Sequence, residues 1–295
     1  MQIVKNRFKF MILSLLILIS GFGIMFNNSS KDLGLFNYDI QFTGGTSIEV
    51  NINNEFESDD IYKLLDDNID LDSIQIQKIG DGTSVVVKTR SLSQEERILA
   101  TDLLKEKYSI DDDDFSILDI SATISEEMRS NSITAVLISC IAMLIYISIR
   151  FKDIAIGGSA ILALLHDALM ILVFYGVFRV PLNEVFIAAI LTVIGYSINA
   201  TIVIFDRIRE NKIKHKADKT NQEIIDLSIS QSLRRSIFTS LTTFFTVISL
   251  YVFGVESVKV FALPIAMGIV CGTYSSICLA GSMLYIAESV IKKNK

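Results

Sequence analysis

The sequence predicts a membrane-embedded bundle of six helices, with one α+β domain inserted between the first helix and the second. Grouping of apolar residues and division of charge carry that expectation. Apolar side chains fill 51% of the 295 positions and mean hydropathy is +0.47, above what an ordinary soluble domain carries. They form six runs near residues 10–26, 132–149, 154–178, 182–204, 237–254 and 260–286, each about 17–27 residues and long enough to cross a bilayer. A polar block over 27–130 holds 9 basic and 23 acidic residues, a net of −14, while the remainder is +8, giving −6 for the chain.

The basic residues fix the expected orientation. Lys5, Arg7 and Lys9 precede the first run, and Arg150 and Lys152 follow the second. Arg207, Arg209, Lys212, Lys214, Lys216 and Lys219 follow the fourth, and Lys292, Lys293 and Lys295 follow the last. With six crossings these clusters share one face, which the positive-inside rule makes cytoplasmic, together with both termini. The acidic block and the short connections at 179–184 and 254–259 then lie outside. The first run, with its basic flank, also has the outline of a signal peptide. Phe26-Asn27-Asn28 is a poor cleavage site, so a retained anchor is expected.

Within the polar block the elements follow in order. Residues 46–52 alternate as a strand, and Ser58 is placed to cap a helix to 68 with Asp59 and Asp60 in its first turn. Residues 74–78 and 85–89 read as a hairpin around Gly80-Asp81-Gly82. Ser93-Gln94-Glu95-Glu96 is a capping box ahead of a helix to 108, and 115–123 reads as a last strand. The order β-α-β-β-α-β is the ferredoxin-like arrangement. The block has no histidine and no cysteine, so no catalytic grouping, cofactor or metal is expected there and the chain is not read as an enzyme. Asp111–Asp114 lacks the spacing and glycine of a calcium loop and reads as a solvated turn. In Phe42-Thr43-Gly44-Gly45-Thr46, paired glycines before a strand permit positive φ or close backbone approach.

Polar residues inside the spans point to transport. His166-Asp167 sits near the middle of the third run, where an aspartate must be paired, protonated or hydrated, and where an imidazole is able to carry a proton. The fourth run keeps Tyr196, Ser197, Asn199 and Thr201 together, a set that faces a bundle or a wet cavity rather than lipid. Arg235 begins the fifth run, where snorkelling to the interface is its plainest role. Gly268-x-x-x-Gly272 permits close helix packing, and Cys140, Cys271 and Cys278 all lie in spans, excluding a disulfide framework outside. An amphipathic helix over 223–233 is expected to lie at the interface.

Several of these tracts together resemble the SecF family of protein-export membrane subunits, within the wider RND superfamily. They are Thr43-Gly44-Gly45, His166-Asp167, Gly195-Tyr196-Ser197-Ile198-Asn199, Asp206-Arg207-Ile208-Arg209-Glu210-Asn211 and Ser232–Ser240 with Arg235. The resemblance implies a bacterial cytoplasmic-membrane protein that pairs with a SecD-like subunit and associates with the SecYEG channel. It implies a translocating unfolded polypeptide as substrate, the lipid bilayer as surroundings, no nucleic acid, and drive from the proton motive force. A proton path of Asp167, His166, Asn199, Thr201 and Arg235 is expected.

Two positions depart from the family pattern: Gln41 replaces the usual acidic residue, and Ala200 stands where the family's aspartate follows Asn199. Alanine binds no proton. Coupling then rests on Asp167 and carboxylates of the partner, or has been lost in favour of a scaffolding role, or uses another ion, or Ala200 is an introduced residue. An RND-type exporter half of lipids or small molecules is the other reading, weakened by the single 295-residue half.

Overall fold

A computed structural model describes residues 2–30, 34–69, 71, 74–79, 82–151, 153–215 and 217–293, excluding the side chains at 256, 257, 292 and 293. Gly80 and Asp81 of the expected turn, and Lys152, Lys216 and Lys295 of the basic clusters, lie outside the described residues. The chain divides into two units, Met1–Asn37 with Thr134–Lys295, and Tyr38–Ile133.

In chain order the structure begins with α1 (Arg7–Ser29). Then come β1 (Gly45–Asn51), α2 (Ser58–Asp66), β2 (Ile74–Ile79), β3 (Ser84–Thr89), α3 (Gln94–Tyr108) and β4 (Phe115–Ile120). The four strands form one antiparallel sheet in the order β2-β3-β1-β4. Thr46 sits opposite Thr89 on one side and Asp119 on the other. Alternation puts Ile48, Val50, Val85 and Val87 on one face, where Ile61 and Leu65 of α2 and Ala100 and Leu104 of α3 complete the core.

The paired glycines open β1. Gly44 has φ +74° and Gly45 φ +127°, and a Cβ on Gly45 would run into the Thr89 carbonyl. Thr46 is fully buried; its hydroxyl donates to Asp119 Oδ1 at 2.7 Å and accepts the Leu92 N–H at 2.9 Å. Asp111–Asp114 remains a solvated turn, with Lys105 paired to Asp112 at 2.5 Å.

Two expectations need correction here. The N-cap of α2 is Glu57, with no side-chain cap bond, and Ser58 is already helical. The last strand ends at Ile120, and helix resumes at Ala122 rather than near 132, because no glycine or proline interrupts residues 122–131.

The capping box on α3 is formed. Ser93 Oγ accepts the Glu96 N–H at 3.2 Å, and Glu96 accepts the Ser93 N–H at 2.7 Å. Arg90 pairs with Glu96 at 2.6 Å. Hydrogen bonding from Arg90, with those from Ser93, holds the Glu96 carboxyl down at about 2, against 4.5 ordinarily. A depressed carboxyl contributes stability that is complete above its unfolded value and fades as pH falls from about 4.5 towards 2. Ser93→Ala is expected to cost about 1 kcal/mol. Glu96→Gln is expected to flatten the acid limb between pH 5 and pH 2, read by hydrogen exchange along α3 after correction for intrinsic rates. An unchanged acid limb would refute the assignment.

The membrane unit consists of α1, most of α4 (Ala122–Phe151), α5 (Ile154–Val177), α6 (Glu184–Lys214) and α7 (Asn221–Phe253). It ends with α8 (Glu256–Tyr274), a π-helical segment Ser275–Ala280, and α9 (Gly281–Lys293). Among the described residues, six helical stretches are long and apolar enough to cross a membrane, the last being 258–291. Helix α6 packs against α5, α7 and α8, and α1 packs against α5. The spanning windows of α4 and α7 are mostly exposed within this chain.

The connection expected over 206–234 is helical through Lys214 and again from Asn221. The tract at 223–233 is not a separate amphipathic helix: it is the first part of α7. Ile224, Ile225 and Ile229 are buried, the last two in one core with Phe205, Ile208 and Leu284. Burying that stripe against helices is what draws the whole tract into the bundle.

Candidate functional site

Asp167 projects from the middle of α5 and is 0% exposed. Ser197 Oγ of α6 donates to Asp167 Oδ2, and Ser275 Oγ, the first residue of the π segment, donates to the same oxygen at 2.7 Å. On the other oxygen, His166 Nδ1 lies 3.0 Å from Oδ1, and His166 Nε2 is hydrogen-bonded to Ser14 Oγ of α1. One polar chain therefore runs Ser14–His166–Asp167–Ser197/Ser275 through otherwise apolar packing. With the proton on Nδ1, the imidazole donates to the carboxylate and accepts from Ser14. With both nitrogens protonated, it donates to both and forms an ion pair with Asp167. Both imidazole nitrogens thus have a partner in either protonation state.

The backbone around this chain is shaped to bring it together. Gly272 lets α8 approach α6 closely, since a Cβ there would lie 3.0 Å from Ser197 Cβ, and Gly268 does the same against Val193. The π segment places Ser275 and Ser276 in succession towards α5 and α6. Ser276 Oγ lies 2.9 Å from Thr201 Oγ1 and donates to the Ser197 carbonyl at 3.4 Å. Tyr274 donates to the Phe10 carbonyl at 2.8 Å, tying this turn to α1.

The single path expected through Asp167, His166, Asn199, Thr201 and Arg235 is two separate places. His166, Asp167 and Thr201 belong to the buried chain. Asn199 and Arg235 are exposed and meet elsewhere, lining with Ala200 a cavity of about 70 Å³ between α6 and α7. Helical phase explains the division. Ser197 and Thr201 are one turn apart on the inward face, whereas Asn199 lies about 200° around from Ser197. Ser14, Ser275 and Ser276 were not foreseen; the run Thr273-Tyr274-Ser275-Ser276 in an apolar span is the signal that marks the last two.

A family model described as protein export membrane protein SecD/SecF, C-terminal, matches residues 100–289. The chain belongs to the SecD/SecF family. A protein translocase subunit SecF from Sebaldella termitidis is 34% identical over 284 residues, covering 94% of this chain and 91% of its own length. A protein translocase subunit SecDF from Brucella abortus is 35% identical over 253 residues, covering 84% of this chain but 33% of that longer one. The crystal structure of a Thermus SecDF, described as a translocon-associated membrane protein, superposes over 100% of this chain with a TM-score of 0.86 at 31% identity. This chain spans 39% of that solved chain.

The remaining motif residues are structural joints. Thr43 ends a short helical turn, Ile40–Thr43, and Gly44 and Gly45 enter β1. Gly195 is exposed on α6, while Tyr196 is half-buried beside the Ala200 cavity. Asp206 pairs with Arg150 of α4. Arg207 pairs with Glu210 at 2.5 Å and donates to Gln231 at 2.7 Å. Asn211 donates to Ser228 at 2.9 Å and to Gln231 at 2.8 Å, and Arg209 is exposed. These bonds pin the charged end of α6 to α4 and α7.

Proposed function

We propose that this chain is a subunit of the bacterial protein-export machinery that assists late translocation of unfolded polypeptides across the cytoplasmic membrane. It works beside a SecD-like subunit at the SecYEG channel and draws on the proton motive force. Family membership supports the role. The Brucella relative, in which this sequence is one part of a longer SecDF chain, supports the partner. The charge asymmetry supports cytoplasmic termini and an external, ferredoxin-like β-α-β-β-α-β domain between the first two spans.

Within that role the Asp167–His166 pair carries the proton. The observation behind this assignment is a fully buried carboxylate held by hydroxyls and an imidazole from α5, α6, the π segment and, through His166, α1. Protonation changes which of these groups donate, so loading the site alters the bonds between helices. Ala200 favours the second reading, a chain-holding scaffold without proton coupling. Asp167→Asn separates them in proton-dependent release of an exported chain from inverted membrane vesicles. Coupling at this site predicts loss of the proton-dependent stage with subunit assembly intact; unchanged release would leave the scaffold.

A further inference from the structure

We propose that Asp167 exchanges its proton with the cytoplasmic face only, and that the external half of the bundle is a closed gate above it. The inference rests on the proton-carrying role proposed above for the Asp167–His166 pair. Depth is fixed by the contacts of that pair: Ser197, Ser275 and, through His166, Ser14 share its level. The charged end of α6, with Arg207 and Lys214, marks the cytoplasmic face.

Among the described residues, every other buried serine, threonine and asparagine of the membrane unit lies on the cytoplasmic side of that level. Thr201 and Asn211 follow Ser197 on α6, Ser276 and Ser282 follow Ser275, and Ser159 precedes His166 on α5. The buried α7 serines belong to the same half. Ser228 bonds to Asn211, and the antiparallel course of α7 brings Ser240 only as far as Asn199, with which it lines a cavity. Ser276 and Thr201 are bonded to each other at 2.9 Å, so the hydroxyls begin directly below the carboxylate. Ser159 and Ser282 donate to carbonyls of their own helices at 2.6 and 2.8 Å, which leaves their oxygens free to accept from water.

The external half has no such ladder. Ile171 and Tyr175 of α5 pack with Phe186, Ile190 and Val193 of α6 in one apolar cluster. Three glycines interlock the helices around it: a Cβ on Gly268 would run into Val193, one on Gly21 into Val173 and one on Gly176 into Met25. An apolar cleft of about 200 Å³ between α1, α5 and α8 offers the Cys271 thiol and one hydroxyl, Ser20, which is bonded back to its own helix. Apolar space of this kind stays dry. Within the cluster the Tyr175 hydroxyl is buried without a partner, a costly state that water admitted from outside would relieve.

The titratable groups facing Asp167 are His166 from its own helix and Cys271 and Tyr274 from α8. Helices α1 and α6 present serines, as does the π segment, whose Cys278 lines a cavity with α7 instead. Glu288 of α9 is paired with Lys212 at the cytoplasmic end. Among the described residues no lysine, arginine or second carboxylate pairs with Asp167. Its protonation therefore follows the pH of the face to which it is connected.

The test is labelling of Asp167 by dicyclohexylcarbodiimide, which attacks protonated carboxyls in apolar surroundings, in membrane vesicles containing the full chain. Inverted and right-side-out vesicles allow the pH of each face to be set separately with the membrane potential clamped at zero, and mass spectrometry reads the Asp167 peptide. Labelling is expected to fall as the cytoplasmic pH rises, by up to roughly tenfold per pH unit above the titration midpoint, and to ignore the external pH. Val193→Ser, which puts a hydroxyl into the seal, is expected to make labelling respond to external pH as well. Wild-type labelling that follows external pH overturns the gate and leaves Asp167 as the proton carrier. Labelling indifferent to pH on both faces overturns the carrier and the gate together. A Val193→Ser protein still indifferent to external pH overturns the placement of the seal.

Discussion

Asp167→Leu is expected to lower the thermal midpoint of the membrane unit by about 5–10 °C, whereas Asp167→Asn should lower it far less. Leucine matches the bulk of the site but accepts no hydrogen bond, so Ser197, Ser275 and His166 all lose their common partner. Interhelical hydrogen bonds in membrane proteins average only ~0.6 kcal/mol, which puts those from Ser197 and Ser275 together near ~1 kcal/mol, and the bond from His166 on the same helix adds about 1 kcal/mol. A donor left with nothing raises the loss by ~1–3 kcal/mol. The hydroxyls have a partial escape, since Ser275 already shares its proton with the Gly272 carbonyl at 3.1 Å. The expected total is therefore about 2–3 kcal/mol rather than the sum of every lost contact. Asparagine keeps a carbonyl acceptor for the two serines and turns an amide towards His166. A leucine variant as stable as the wild type would show that the polar chain does not hold the helices together.

The second large effect is expected at Gly45. Gly45→Val puts a β-branched side chain at φ +127°, with its Cβ against the Thr89 carbonyl. Backbone strain alone costs ~1–3 kcal/mol, and relieving the clash parts β1 from β3 where Thr46 pairs with Thr89. That displacement also takes Thr46 Oγ1 away from Asp119 and the Leu92 N–H. A total loss of at least ~3 kcal/mol is expected, enough to unfold much of a small domain. Limited proteolysis and hydrogen exchange of residues 38–133 in the full chain read it directly. Gly23→Ala, where a Cβ meets nothing within 4 Å, serves as the neutral comparison. Wild-type protection of β1 in Gly45→Val would refute the argument.

Signals that act locally were legible in the sequence. The capping box Ser93–Glu96 needs only four consecutive residues, and the Gly44-Gly45 pair announces its own backbone requirement. Strand alternation in 46–52, 74–78 and 85–89 anticipates the sheet because one face is buried and the other is not. The six spans follow from length and hydropathy. Errors arose at boundaries, where neighbours decide: α4 starts early because nothing stops it, and Glu57 rather than Ser58 precedes α2.

The candidate site was only half legible. Asp167 and His166 stand out as polar groups in an apolar run, and Ser197 and Thr201 share a polar tract with Asn199 and Tyr196. Which of them meet was not contained in that list. Soluble helices advertise their buried face by amphipathicity, but in a bilayer the lipid-facing side is as apolar as the packed side. The rotation of α6, which turns Ser197 and Thr201 inward and Asn199 towards Arg235, therefore leaves almost no trace in residue type. The chain by itself determined the spans, the charge asymmetry, the domain order and the family. Only the tertiary structure decided that Ser14, His166, Asp167, Ser197 and Ser275 converge while Ala200 and Arg235 form a separate chamber. Helix phase and close approach at Gly272 and the π segment settle those meetings, and both arise from packing.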